Sequence, residues 1–228
     1  METPQEPDPV GRRALHESNP GLVSPGSGDG AETGTTVVGV AAGESVVLAA
    51  DRRASIGGRV VTNKHVRKVE PVHPTAAAAL SGTVGHLQQF VRLLRAETRL
   101  YADRRDTAPS MTALSTLAGN VLRNAGLQVS PLLGGVDDTG GHVFEVDGAG
   151  GVLRDTYAAG GSGMQLAYGA LEDAYRDDLT TEDARAVAAS AVGSASERDT
   201  ASGNGVTVAT VTREGVQVDE YAGAGEVA

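Results

Sequence analysis

The pattern of apolar and polar positions divides this chain at residue 34. Residues 1–34 show neither the two-residue alternation of a strand nor the 3.6-residue repeat of a helix. They hold five of the nine prolines, six glycines and six acidic residues against two arginines. Such a stretch has too little apolar surface to offset its ordering entropy. It is expected to be a tail, a linker or a pro-segment ahead of one domain over residues 35–228. From Thr35 the pattern changes. Thr35 to Ala42 reads as a strand, Gly43-Glu44 as a turn and Ser45 to Ala50 as a second strand. Asp51 to Ser55 leaves that strand and Gly57-Gly58 turns the chain. Arg59 to Thr62, Arg67 to Val72 and Thr75 to Ser81 are further expected strands.

Two helices follow. Leu87, Phe90, Val91 and Leu94 repeat at i, i+3, i+4 and i+7 in the first, which ends near Arg105. The second runs from about Ser110 to Asn124, with Gly126 as its stop. Strands are expected over Gln128 to Val136, His142 to Val146 and Val152 to Ala158. A second helix pair covers Met164 to Asp177 and Thr181 to Arg198, the latter opened by a capping box of Thr180 and Asp183. Val206 to Thr212 and Val216 to Tyr221 close the chain as strands. Each helix pair has an apolar face that must cover a sheet. Two antiparallel sheets packed face to face, with a helix pair outside each, satisfy every such face. The expected fold is therefore α+β, a four-layer α-β-β-α sandwich; a mixed α+β fold with one sheet is the alternative.

Composition narrows the chemistry. There is no cysteine, which excludes disulfides and thiolate zinc sites and fits a reducing compartment. No apolar run is long enough to span a membrane, and Met1 to Pro9 lacks the apolar core of a signal peptide. The formal net charge of −10 argues against a nucleic-acid partner, whose phosphates require Lys/Arg stripes. Only Lys64 and Lys68 stand against seventeen arginines, so each lysine is worth inspecting. The five histidines (His16, His65, His73, His86 and His142) form no triad motif and read as incidental. No His-Glu-x-x-His occurs to support metalloprotease chemistry. Arg52-Arg53-Ala54-Ser55 has the look of a basic kinase target, but at a strand end expected to lie inside.

Six short pieces carry candidate chemistry: Thr35 at a strand start, Asp51 at a strand end, Lys68, Ser81-Gly82-Thr83, Gly160-Gly161-Ser162-Gly163, and Arg198 to Gly205. Taken singly, each reads as a turn or a surface charge. A cut between Gly34 and Thr35 would give Thr35 a hydroxyl and a free α-amine together, a nucleophile carrying its own base.

Together, in this order and spacing, these pieces resemble the catalytic β-type subunits of the proteasome, within the N-terminal nucleophile hydrolase fold, with the archaeal form the most similar. The likeness runs through nearly all of residues 33–222: Thr-Gly-Thr-Thr, Ala-Asp-Arg-Arg-Ala-Ser, Arg-Lys-Val, Ser-Gly-x-Val-Gly, Arg-Ala-Glu-x-x-Leu-Tyr, Gly-Gly-x-Asp, Tyr-Ala-x-x-Gly-Ser-Gly and Arg-Asp-x-Ala-Ser-Gly. The resemblance implies a threonine-type endopeptidase made as a zymogen. Autocatalytic cleavage at Gly34-Thr35 would remove residues 1–34 and expose Thr35 as nucleophile. Lys68 would favour the deprotonated hydroxyl, Asp51 would pair with that lysine, and the Gly82 N–H would face the developing oxyanion. Ser162, Asp199 and Ser202 would hold the threonine amine and a water. Ser55 stands where many members have Thr, and its expected role in aligning substrate is through the backbone. Ala54, Val66, Leu80 and Val84 match positions lining the pocket for the residue before the cut, which implies cleavage after hydrophobic residues. No cofactor or metal is implied. The implied assembly, in the cytoplasm, is a seven-membered ring of β-type subunits stacked on a second, closed by α-type rings and fed with unfolded polypeptide by a regulatory ATPase. Two alternatives remain: a non-catalytic β-type ring subunit, and a subunit of the bacterial two-ring ATP-dependent protease.

Overall fold

The computed structural model describes residues 32–227. The expectation for residues 1–34 therefore lies mostly outside the described residues. Its last part differs from expectation, because Glu32–Thr33 forms a short strand, β1. The chain continues through β2 (Thr36–Ala42), β3 (Ser45–Asp51), β4 (Ala54–Ile56), β5 (Val60–Asn63), β6 (Val69–His73) and β7 (Ala76–Thr83). Helices α1 (Val84–Arg105) and α2 (Met111–Ala125) follow. Next come β8 (Val129–Asp137), β9 (Gly140–Val146), β10 (Val152–Asp155) and β11 (Tyr157–Gly161). Helices α3 (Met164–Ala174) and α4 (Thr181–Ser196) lead into β12 (Val206–Thr212) and β13 (Gly215–Tyr221).

One sheet has the order β1-β7-β8-β9-β10, with β6 also paired to β7; the second has the order β11-β2-β3-β12-β13. Strands β4 and β5 form a separate hairpin. The sheets meet through Val37, Val46 and Leu48 on one side and Ala77, Ala79, Leu132 and Val143 on the other. Helices α1 and α2 bury Leu87, Phe90, Val91, Leu94 and Leu122 on the first sheet. Helix α4 packs an alanine-rich face, Ala184, Ala188, Ala191 and Ala195, on the second. This is the four-layer α-β-β-α sandwich expected from the periodicity. The Thr180–Asp183 capping box is present, with both of its reciprocal hydrogen bonds.

Two local expectations need correction. Val152 to Ala158 is not one strand. The chain leaves the first sheet at Asp155 and joins the second at Tyr157, with Thr156 between them. Apolar alternation is the same for both halves and carries no record of which sheet each half joins. The crossover pairs Gly161 with Thr36, which brings the Gly160–Gly163 turn to the start of β2.

Nor is His142 incidental. It is buried, stacks on Phe144 and has Nε2 2.9 Å from Asp137 Oδ1. Asp137 also accepts the Met111 N–H at the start of α2 and the Thr139 N–H, each at 2.9 Å. Burial pushes the Asp137 pKa up, but hydrogen bonds from Thr139, Met111 and His142 outweigh it and hold the carboxyl well below the usual carboxylate range. Asp137→Ala is expected to cost about 1–3 kcal/mol, because the Met111 N–H at the start of α2 loses its acceptor and the buried His142 keeps only Thr139 as a partner for Nε2. Urea unfolding at neutral pH measures it. Because the folded pKa is depressed, the wild-type advantage is complete above about pH 4 and fades as pH falls below it.

Candidate active site

Sheet pairing brings the singled-out residues together. Strands β6 and β1 both pair with β7, β6 along Ala76 to Ala79 and β1 at Gly82 and Thr83. Lys68 lies immediately before β6, and Gly34 immediately after β1. The Lys68 carbonyl accepts the Leu80 N–H at 2.8 Å, which fixes the lysine in that gap. Its side chain is completely buried, and Nζ donates to the Gly34 carbonyl at 3.2 Å and to Asp51 Oδ1 at 2.8 Å. Burial pushes the lysine pKa below its ordinary 10.5, and the charge and hydrogen bond of Asp51 pull back against it. The net shift is downward.

Asp51, the last residue of β3, is equally buried. Its Oδ1 accepts from Lys68 and from the Thr36 N–H at 2.9 Å. Its Oδ2 accepts the N–H groups of Arg53 and Gly203, both at 2.9 Å. A buried carboxylate so supplied with donors, and facing one ammonium, meets the requirement for a stable buried ion pair. The pairing of Val206 with Asp51 carries the 199–205 loop to this point.

Thr35 is buried at the head of β2, and its backbone N–H donates to Ser162 Oγ at 3.1 Å. Ser162 Oγ and Ser202 Oγ both donate to Asp199 Oδ2, at 2.6 and 2.5 Å. The Ala201 N–H donates to the other Asp199 oxygen at 3.2 Å. Gly82 has φ +136°, and a Cβ there would overlap the Gln128 carbonyl, so the position requires glycine. A side chain at position 34 would likewise collide with Ala201, so the residue before Thr35 is held to glycine by space.

Residues 31–211 match the family model described as "Proteasome subunit". The chain is 52% identical over 219 residues to "Proteasome subunit beta" of Halorhabdus utahensis, covering 94% of each chain. It is 53% identical over 191 residues to "Proteasome subunit beta 1" of Haloarcula marismortui, covering 83% of this chain and 80% of that one. It is 55% identical over 186 residues to "Proteasome subunit beta" of Halobacterium salinarum, covering 81% and 76%. The chain belongs to the proteasome β-type subunit family. Membership places it in a multi-subunit core particle and in a family of proteases. Among the described residues no helix is long and apolar enough to cross a membrane.

In this β-type subunit, Val66, Leu80 and Val84 line one cavity of about 540 Å³ together with Arg67, Glu70, Arg92 and Arg95. The expected apolar pocket thus carries charged groups, among them the Glu70–Arg95 pair at 3.3 Å. Ala54 and Ser55 are buried in β4 and are not among the lining residues of that cavity. Ser55, 1% exposed, offers no surface to a modifying enzyme.

Sequence reasoning missed Arg53 and Asn204. The Arg53 guanidinium donates to Asn204 Oδ1 and to the Thr200 carbonyl, both at 2.9 Å, and so fastens the 199–205 loop to the end of β3. The adjacent Arg52 pairs instead with Glu220, and nothing in the dipeptide distinguishes the two. It also missed Thr36, whose hydroxyl is 2.8 Å from Ser202 Oγ.

Proposed function

We propose that this subunit is a catalytic threonine-type endopeptidase that matures by cutting its own Gly34-Thr35 bond. The observation that carries the reading is the Lys68 ammonium, buried and donating both to Asp51 and to the Gly34 carbonyl, the bond to be broken. Attack by Thr35 Oγ1 on the Gly34 carbonyl carbon forms an ester. The Gly34–Thr35 C–N bond breaks, and the hydroxyl proton ends on the Thr35 nitrogen. Water then hydrolyses the ester, restoring the hydroxyl and releasing residues 1–34 with a Gly34 carboxylate. The same hydroxyl next attacks peptide substrates, forming an acyl-enzyme that water releases.

The freed α-amine, with an ordinary pKa of about 7.7–8.0, serves as the base near neutral pH, where an unpaired lysine at about 10.4 stays protonated. The Lys68 charge favours the alkoxide, Asp51 holds that charge in place, and the Gly82 N–H faces the oxyanion. Ser162, Asp199 and Ser202 hold the amine. Val66, Leu80 and Val84 favour a hydrophobic residue before the cut, in a cavity whose other lining includes the charged Arg67, Glu70, Arg92 and Arg95. The subunit works in the cytoplasm inside stacked seven-membered β-type rings closed by α-type rings, on unfolded polypeptide delivered by a regulatory ATPase. The test is the intact mass of the purified active subunit. Loss of residues 1–34, leaving Thr35 first, is the expected result. An active subunit that retains those residues, or that starts elsewhere, overturns the reading.

A further inference from the structure

We propose that Thr36, next to the candidate nucleophile, is a positioning residue whose hydroxyl sets the direction of the hydrogen bonds that hold the Thr35 nitrogen. This rests on the threonine-peptidase reading above and adds to it a residue with no part in bond making. Thr36 is fully buried and is bonded to both polar groups of the site. Its N–H donates to Asp51 Oδ1 at 2.9 Å, and its hydroxyl lies 2.8 Å from Ser202 Oγ. Distance alone leaves the donor of the second bond open. Proton count does not. A serine hydroxyl has one proton, and that of Ser202 is directed at Asp199 Oδ2, 2.5 Å away. A carboxylate oxygen only accepts. The remaining bond must therefore run from Thr36 to Ser202.

The same count applies to Ser162. Its one proton has two acceptors in reach, Asp199 Oδ2 at 2.6 Å and the Thr35 carbonyl at 3.3 Å, and the shorter bond takes it. Ser162 is then an acceptor towards the Thr35 nitrogen. The bonds converge on Asp199 from two sides: Thr36 to Ser202 to Asp199, and the Thr35 nitrogen to Ser162 to Asp199. Once Thr35 is the N-terminus, an N–H given to Ser162 turns the nitrogen lone pair away from that serine. It is left to take the proton of the Thr35 hydroxyl. Linked hydrogen bonds polarise one another, so the Thr36 donor strengthens the hold of Ser202 on Asp199 and tempers the charge that carboxylate presents to the amine. The site leaves the hydroxyl little room: a Cβ on Gly163 would overlap Thr36 Oγ1.

Thr36→Val keeps the shape and the backbone donor and removes the hydroxyl. In the assembled, matured protein it is expected to lower kcat for a short peptide about tenfold, the size of one hydrogen bond lost from the reacting geometry, with KM within about twofold. The acid limb of the kcat/KM profile should move to higher pH, because a more exposed Asp199 charge favours the protonated amine. Thr36→Ser should recover both. Should Thr36→Val fail to assemble, Thr36→Ser against Thr36→Ala carries the comparison, since both lack the methyl and they differ by the hydroxyl. Adding Thr36→Val to Ser202→Ala should cost no more than Ser202→Ala alone. Wild-type kcat and pH profile in Thr36→Val, equal losses in the serine and alanine variants, or additive losses with Ser202→Ala would each overturn the proposal. Mass measurement of the wild-type subunit separates these outcomes from failure of the underlying reading, since a mature chain that does not start at Thr35 refutes that reading whatever the Thr36 variants do.

Discussion

Thr35→Ala is expected to yield a folded subunit that keeps residues 1–34 and hydrolyses no peptide. Both losses come from one atom. Oγ1 is the group that would attack the Gly34 carbonyl during maturation and the substrate carbonyl afterwards, and nothing within this arrangement replaces it. Loss of a nucleophile costs on the order of 10⁴-fold or more, leaving at most the residual catalysis of the surrounding dipoles. The fold should persist. Two partners of the Thr35 backbone, Ser162 and the Gly163 N–H, are indifferent to its side chain. Alanine also fits wherever threonine fits, although it favours a strand less. Intact mass and peptide hydrolysis on one preparation decide the matter. A Thr35→Ala subunit that has lost residues 1–34 and still cuts peptides would remove Thr35 from the mechanism. Thr35→Ser sharpens the comparison, because it keeps hydroxyl and amine on one residue and should retain both processing and hydrolysis at a reduced rate.

The layers of the sandwich were legible because each rests on a periodic signal. Leu87, Phe90, Val91 and Leu94 form one helical face, and all four are buried against the first sheet. The strands of the second sheet that carry Thr36 and Asp51 stand out as apolar runs bounded by turns. The Thr180–Asp183 cap is a local signal and appears as a local structure. What stayed hidden depends on long-range placement. Thr156 divides one apparent strand between two sheets, and only the partners of each half reveal it. Arg52 and Arg53 are the same residue type side by side, yet one faces Glu220 and the other clamps Thr200 and Asn204. His142 and Asp137 are five residues apart in a hairpin that reads as an ordinary polar turn. Asp137 is also tied to the start of α2, a separate element, through the Met111 N–H. The pieces of the candidate site were legible as a set, through their order along the chain. That Lys68 would reach the Gly34 carbonyl depends on β1 and β6 sharing one edge of β7, which no local pattern in either strand records.

Lys68→Met is expected to abolish both processing and peptide hydrolysis and, unlike the Thr35 substitution, to weaken the fold. Methionine fills much of the lysine volume but leaves Asp51 buried without its cation. Removing one partner of a buried pair typically costs about 3–5 kcal/mol. The backbone donors from Thr36, Arg53 and Gly203 still reach Asp51, so the loss should lie towards the lower part of that range. Converting Asp51 to Asn in the same chain removes the stranded charge. Lys68→Met with Asp51→Asn should therefore regain much of the stability and none of the activity. That divergence separates a lysine needed for its charge at the reacting carbonyl from one needed only to satisfy Asp51. Recovery of activity along with stability would assign Lys68 to structure alone. The wild type supplies an independent check through pH. Because the Lys68 pKa is lowered, the folded state releases its proton before the unfolded state does as pH rises. The lysine's unfavourable contribution to stability is therefore full at pH values below its folded pKa. It is relieved as pH climbs from the depressed folded value towards the ordinary 10.5. Activity should move the opposite way. The ammonium proposed to favour the alkoxide is lost across that same window, so hydrolysis should fall at a pH below that of an ordinary lysine while the lysine's contribution to unfolding free energy improves.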